Sequence, residues 1–171
     1  MTTPFTSRTS LRPVSRDDDR ELLYQIYAST RTEELSVVDW DDAQKETFLR
    51  FQFEAQRRYY EEQFPDAAFD IILHEGEPAG RLYIDRRDDE IRLVDIALLP
   101  DFRGRGLGGE ILADLLGEGR GAGLPVRIHV EHNNPAMRLY LRLGFVKIEE
   151  QGVYHLMEWR PDAPGTAEGR A

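Results

Sequence analysis

The stretch from Ile91 to Glu131 constrains this chain more than any other. Ile91 to Leu98 is a near-continuous apolar run, the pattern of a strand buried on both faces. A glycine-rich loop at 103–109 follows, then a helix with Leu107, Ile111, Leu115 and Leu116 on one side, which the glycines from Gly117 to Gly123 are expected to break. Val126, Ile128 and Val130 next alternate with Arg127, His129 and Glu131, as in a half-buried strand. Strand, loop, helix and strand in that order place the chain among the α/β proteins.

The flanks extend the pattern. Ser10 to Val14 reads as an edge strand, because Pro13 donates no backbone hydrogen bond. Ser15 before Asp17, Asp18 and Asp19 marks a helix start, with Leu22, Leu23, Ile26 and Tyr27 as its apolar face. After a loop at 30–38, a second helix runs from Asp41 and Asp42 to about Gln63. Phe48, Phe51, Phe53, Ala55 and Tyr59 make it broadly apolar, and Pro65 ends it. Phe69 to Leu73 and Gly80 to Asp85 form a hairpin about Glu75-Gly76-Glu77. Asn134-Pro135 opens a last helix as N-cap and first turn, Gly144 stops it, and strands at 145–148 and 153–159 close the chain. The order β-α-α-β-β-β-α-β-α-β-β implies a mixed sheet with helices on both faces. One domain over 8–160 is expected, with a disordered tail over 161–171 that is rich in Pro, Gly and Ala.

Composition removes several classes of function. The 171 residues include no cysteine, which excludes disulfides, thiolate metal sites and cysteine nucleophiles. The four histidines show no metal-ligand spacing, so no metal is expected. A net charge of −10 disfavours nucleic acid and anionic membrane as partners and favours small cations, amines among them. No signal peptide or membrane-spanning run is legible, which leads to the expectation of a cytoplasmic protein.

Against that negative background, Arg103-Gly104-Arg105-Gly106-Leu107-Gly108-Gly109 stands out. Glycines between a strand and a helix let successive N–H groups point outward at the positive end of the helix, and two arginines add mobile positive charge. This is how a chain builds a phosphate site. Gly104-x-Gly106-x-x-Gly109 formally satisfies the dinucleotide fingerprint, with Glu131 where a ribose-binding acid would sit. Leu99 to Phe102 nevertheless intervene before the loop, and no doubly wound sheet has room to follow.

The same residues resemble the GNAT acetyltransferase superfamily. Arg103-x-x-Gly106-x-Gly108 is similar to that family's R/Q-x-x-G-x-G/A loop, and Asn134 to Phe145 (NPAMRLYLRLGF) to its N-x-A-x-x-L-Y-x-x-x-G-F segment. The likeness covers roughly residues 10–159. It implies a central twisted mixed sheet of about seven strands, splayed between two central parallel strands and flanked by about four helices. It implies acetyl-CoA as cosubstrate, with pyrophosphate on the amides of Gly104, Arg105, Gly106, Leu107, Gly108 and Gly109 beside Arg103. The pantetheine arm would lie on Ile96, Ala97 and Leu98, with Asn134 near it. Tyr140 is similar to the family tyrosine that protonates the departing thiolate; without the motif it reads as core.

The resemblance leaves the general base open. Asp95 interrupts the apolar strand, Glu131 and His129 share a face of the next one, and a water chain often serves instead. Asp95 also reads as a carboxylate paired with a buried arginine. The acceptor pocket would be walled by the N-terminal helices and the loop with Arg31, Glu33 and Glu34. The implied reaction is direct attack of a primary amine, on a small molecule or a peptide, upon the thioester in a ternary complex. The rival readings are a non-catalytic acyl-CoA-binding module and a dinucleotide-binding oxidoreductase. Dimers are common among similar proteins, so a homodimer is allowed for.

Overall fold

A computed structural model describes residues 8–162; the N-terminal seven residues, and the expected tail from 163 onward, lie outside it. The elements are β1 (Thr9–Pro13), α1 (Arg20–Ser29), α2 (Thr32–Leu35), α3 (Asp42–Gln63), β2 (Ala68–His74), β3 (Glu77–Arg86), β4 (Ile91–Leu98), a 3-10 turn at Pro100–Phe102, α4 (Leu107–Ala122), β5 (Val126–Glu131), α5 (Met137–Arg142), β6 (Val146–Gln151) and β7 (Tyr154–Trp159). The seven strands among the described residues follow the order β1-β2-β3-β4-β5-β7-β6. β4 and β5 pair in parallel, at Ile91↔Val126 and Arg92↔Arg127, while β1 with β2, β5 with β7 and β6 with β7 pair antiparallel. The sheet is therefore mixed, as expected, and α2 adds a helical turn inside the expected loop.

The chain divides into two compact units, one reaching to Tyr83 and including Asp95–Arg105, the other comprising Ile84–Val94 and the chain from Gly106. In the first, β1 leads into α1 through a turn that Asp19 holds. Its buried carboxylate accepts from both terminal nitrogens of Arg12 (2.8 and 2.9 Å) and from the Ser15 amide (2.7 Å). The Ser15 hydroxyl, expected to cap the helix, instead donates to Asp18. A bidentate arginine pair is the stronger organiser of the turn. α3 begins where the sequence places it, with a reciprocal capping box between Asp41 and Gln44 (2.8 and 2.9 Å). Its apolar face is narrower than its composition suggests. Phe53 is buried against Tyr24 and Tyr27 of α1, whereas Phe48, Phe51 and Tyr59 are exposed.

In the second unit α4 does not break at Gly117. It runs on to Ala122 and ends at Gly123, whose φ of +70° suits a left-handed cap. A helix-interior glycine weakens a helix by only about 1 kcal/mol, and buried Ile111, Leu112, Leu115 and Leu116 hold this one. Gly119 has a positive reason to be there: a Cβ would lie 2.9 Å from the Trp159 ring and 3.0 Å from the Leu124 carbonyl.

An ion-pair chain crosses the strands of this unit. Buried Glu90 accepts from Arg92 Nε and Arg127 Nη1, both at 2.8 Å, and Arg127 reaches on to Glu158, which also holds Arg160. Burial opposes ionisation of Glu90, but the hydrogen bonds and charges of Arg127 and Arg92 outweigh it and hold its carboxyl below the usual glutamate range. The linkage sign follows. The stabilisation is complete above the ordinary glutamate pKa and is lost as the pH falls through the lower folded value. Thermal melts taken from neutral pH downward should show Tm falling across that acid window. In Glu90→Gln the fall should be shallower and start from a lower Tm; an unchanged acid limb would remove Glu90 as its cause.

Candidate functional site

In the first unit, the end of β4 departs from the sequence expectation in an informative way. Ile91 and Leu93 are buried, but Ile96, Ala97, Leu98 and Leu99 are only half-buried, leaving an apolar strand end partly uncovered. Its backbone is pressed against β3. Leu99 donates to the Ala79 carbonyl at 2.8 Å, and a Cβ on Gly80 would come within 2.1 Å of the Ala97 oxygen. No side chain other than hydrogen fits there.

Asp95 has the buried arginine partner that its position allows. Its Oδ2 accepts from Arg81 Nη2 at 2.5 Å and from the Tyr60 hydroxyl at 3.1 Å. Burial, reinforced by the Asp95 charge, pushes the Tyr60 phenol well above the usual tyrosine range, so it stays a donor. Tyr60 and Arg81 went unnoticed in the sequence. Arg81 sits in a strand buried from Ala79 to Asp85, and an arginine inside such a run is the signal that could have found it.

Arg103 and Arg105 serve differently from the mobile charges that the sequence suggests. Arg103 Nε donates to the Leu98 carbonyl at 2.9 Å and its Nη2 to the Ser29 hydroxyl at 3.1 Å, tying the loop to the end of β4 and to α1. The Arg105 guanidinium lies 5.3 Å from the centre of the Phe102 ring. Arg31, expected in the acceptor wall, pairs with Glu34 at 3.0 Å.

The loop then turns through two left-handed residues, Gly104 (φ +73°) and Gly106 (φ +83°), and Gly106 caps α4. Leu107, Gly108 and Gly109 form the first turn, where N–H groups have no carbonyl partner within the helix and the positive end of the dipole emerges. A Cβ at Gly104 or Gly106 would meet nothing within 4 Å. At Gly108 and Gly109 it would reach only the Leu139 side chain, at 3.8 and 3.9 Å. Within this unit the N-terminus of α4 therefore lies against α5, one residue from Tyr140.

α5 starts later than expected, at Met137. Asn134 forms the preceding turn, its Oδ1 accepting from the Ala136 amide at 2.7 Å and its carbonyl from the Met137 amide at 3.0 Å. Tyr140 is 3% exposed and packs edge-to-face on Phe145, ring centres 5.6 Å apart. Glu131 ends β5 half-buried, opposite Tyr154. His129 Nδ1 lies 3.3 Å from Arg92 Nη1; partial burial, with the Arg92 charge, holds the imidazole below the usual histidine range, hence neutral near pH 7. Among the described residues no helix is long and apolar enough to cross a membrane.

Comparison with known proteins agrees with this geometry. The model of the acetyltransferase (GNAT) family matches residues 23–145. The chain is similar in structure to the PaiA N-acetyltransferase of Thermoplasma acidophilum in complex with coenzyme A, with TM-score 0.66, 16% identity, and 89% of this chain and 98% of that one covered. It is also similar to an acetyltransferase of Thermus thermophilus, with TM-score 0.60, 20% identity and coverage of 90% and 97%. A third similar structure is the Salmonella typhimurium acetyltransferase that modifies the N-terminal serine of ribosomal protein L7/L12, with TM-score 0.59, 18% identity and coverage of 92% and 96%. No curated protein sequence matches the chain.

Proposed function

We propose, for a chain that belongs to the acetyltransferase (GNAT) family, that it moves an acetyl group from acetyl-CoA to a primary amine by direct attack in a ternary complex. One observation carries the reading. The N-terminus of α4 is bare of side chains at Gly106, Gly108 and Gly109, and it lies against the helix that carries Tyr140. An anion-binding terminus and a proton donor thus share one unit.

The residues fit the cosubstrate. Backbone amides from Gly104 to Gly109 receive the pyrophosphate, in space that the absent Cβ atoms leave open. The half-buried end of β4, Ile96 to Leu98, offers backbone and apolar surface to the pantetheine arm. Asn134 keeps its amide nitrogen for that arm, since its Oδ1 already holds the turn. Acetyl-CoA supplies the activated carbonyl. The Tyr140 hydroxyl then protonates the departing thiolate as the amine adds. Of the carboxylates, Asp95 is already engaged, its Oδ2 accepting from both Arg81 and Tyr60. Glu131, half-buried at the end of β5, is the carboxylate we assign to take the amine proton, through water. A small molecule and a peptide N-terminus both satisfy this chemistry.

Calorimetric titration with acetyl-CoA, with NADP as control, tests the cosubstrate. We expect micromolar binding of acetyl-CoA and none of NADP, followed by thiol release with some member of an amine panel. Binding of NADP alone would revive the oxidoreductase reading. Binding of acetyl-CoA with no turnover on any amine would leave a non-catalytic module.

A further inference from the structure

α3 places its apolar residues on two faces. Phe53, its buried residue, is set against Tyr24 and Tyr27 of α1. Phe48, Phe51, Ala55 and Tyr59 recur at i, i+3, i+7 and i+11, the spacing of a single helical stripe. All four are exposed, Phe48 by 38%, Phe51 by 72% and Tyr59 by 56%. At 3.6 residues per turn, Phe51 and Phe53 lie about 160° apart around the helix, so the stripe faces away from the core. Trp40, just ahead of the helix and 39% exposed, extends it. Its ring centre is 5.3 Å from that of Phe48, and the two share a shallow groove with Gln44, Thr47 and Phe51.

A solvated aromatic stripe of this kind marks a surface that another chain covers. With each ring taken as about 200 Å2, the exposed parts of the four come to about 400 Å2. That is half of the roughly 800 Å2 that each partner gives to a standard interface.

The stripe is also self-complementary. Large Phe51 and small Ala55 stand one turn apart, Lys45 flanks the stripe near its start, and Glu62 lies at its far end. Away from the stripe the charges of α3 pair within the chain, Glu46 with Arg50, and Glu54 and Glu61 with Arg57. Lys45 and Glu62 have no ion-pair partner among the described residues. Turned end over end about a two-fold axis, the helix would set Phe51 against the partner's Ala55 and Phe48 beside the partner's Tyr59. The same register brings Lys45 to the partner's Glu62. Large against small and positive against negative, from one surface reversed upon itself, is what a two-fold asks. A different partner needs neither.

We propose that the outer face of α3 is where a second copy of this chain docks, the two α3 helices packing antiparallel through the stripe. Phe51 is the anchor, Ala55 the socket that receives it, and the Lys45 pair fixes register and orientation.

The test is sedimentation velocity on the full chain from about 1 to 100 μM, a span around the micromolar affinities of modest interfaces. A reversible dimer is expected. Phe51→Glu should weaken it at least about a hundredfold, since each dimer carries the lost anchor twice. The residue is 72% exposed, so the monomer should keep its fold, which circular dichroism checks. Lys45→Glu should weaken the dimer severalfold, and adding Glu62→Lys should restore it, a rescue that a general loss of solubility or fold would not give. Ile148→Glu, on the exposed strand β6, should leave the dimer intact. A monomer at every concentration would overturn the proposal. So would a dimer indifferent to Phe51→Glu, or one that Ile148→Glu disrupts instead. Failure of the charge reversal to rescue would overturn the antiparallel register. The readout is mass alone, so this surface and the acetyltransferase reading stand or fall separately.

Discussion

Tyr140→Phe should lower kcat by at least about a hundredfold, within the range for loss of a general acid, while leaving the KM for acetyl-CoA close to that of the parent. The change removes one oxygen. The ring keeps its packing on Phe145, so the core around a 3% exposed side chain stays filled. Only the step that needs a proton on the leaving sulfur should suffer. The readout is steady-state kinetics, with kcat and the KM for acetyl-CoA separated. A kcat within threefold of wild type on every amine that turns over would return Tyr140 to the core role its burial also suits, and the thiolate would then depart without an acid.

The second large effect separates two glycines of one loop. Gly106→Val should raise the Kd for acetyl-CoA at least about a hundredfold, through a side chain standing where the pyrophosphate meets backbone. It should also cost about 1–2 kcal/mol of stability, because a left-handed φ of +83° is strained for any L side chain. The fold survives, since a Cβ there meets nothing. Gly108→Ala should do neither. Its φ is not left-handed, and the added methyl reaches only Leu139 at 3.8 Å. The contrast explains why the family's loop pattern demands glycine at the first of these positions and admits alanine at the second. Calorimetry on both variants, with circular dichroism melts, reads the difference. Wild-type affinity in Gly106→Val would place the pyrophosphate elsewhere.

What the sequence reveals, and what it hides, follows from how local each cause is. The strands and α3 are legible because periodicity and caps are written in neighbouring residues, as at Asp41 and Gln44. The persistence of α4 through Gly117 was not legible. The buried side of the helix holds it, and the glycine at 119 answers to Trp159, forty residues on, whose ring leaves no room for a side chain. The late start of α5 was hidden for a related reason: Asn134 holds a turn three residues ahead of the helix, and a turn-forming asparagine looks the same as a capping one in sequence. In the site, the glycine loop announces itself, but the partners of Asp95 do not. Tyr60 is thirty-five residues away on α3 and Arg81 fourteen away on β3. Only the folded sheet assembles them.

Arg103 changes how its place in the motif is understood. Its Nε reaches back five residues to the Leu98 carbonyl, and its Nη2 crosses to Ser29. The side chain acts as a brace that sets the angle at which the loop leaves the strand. A glutamine amide can also donate to a carbonyl, though it carries no charge. A family pattern that accepts arginine or glutamine at this point is then selecting for length and a donor hydrogen rather than for positive potential. The attraction for phosphate is left to the main chain, whose dipoles no substitution at position 103 can neutralise.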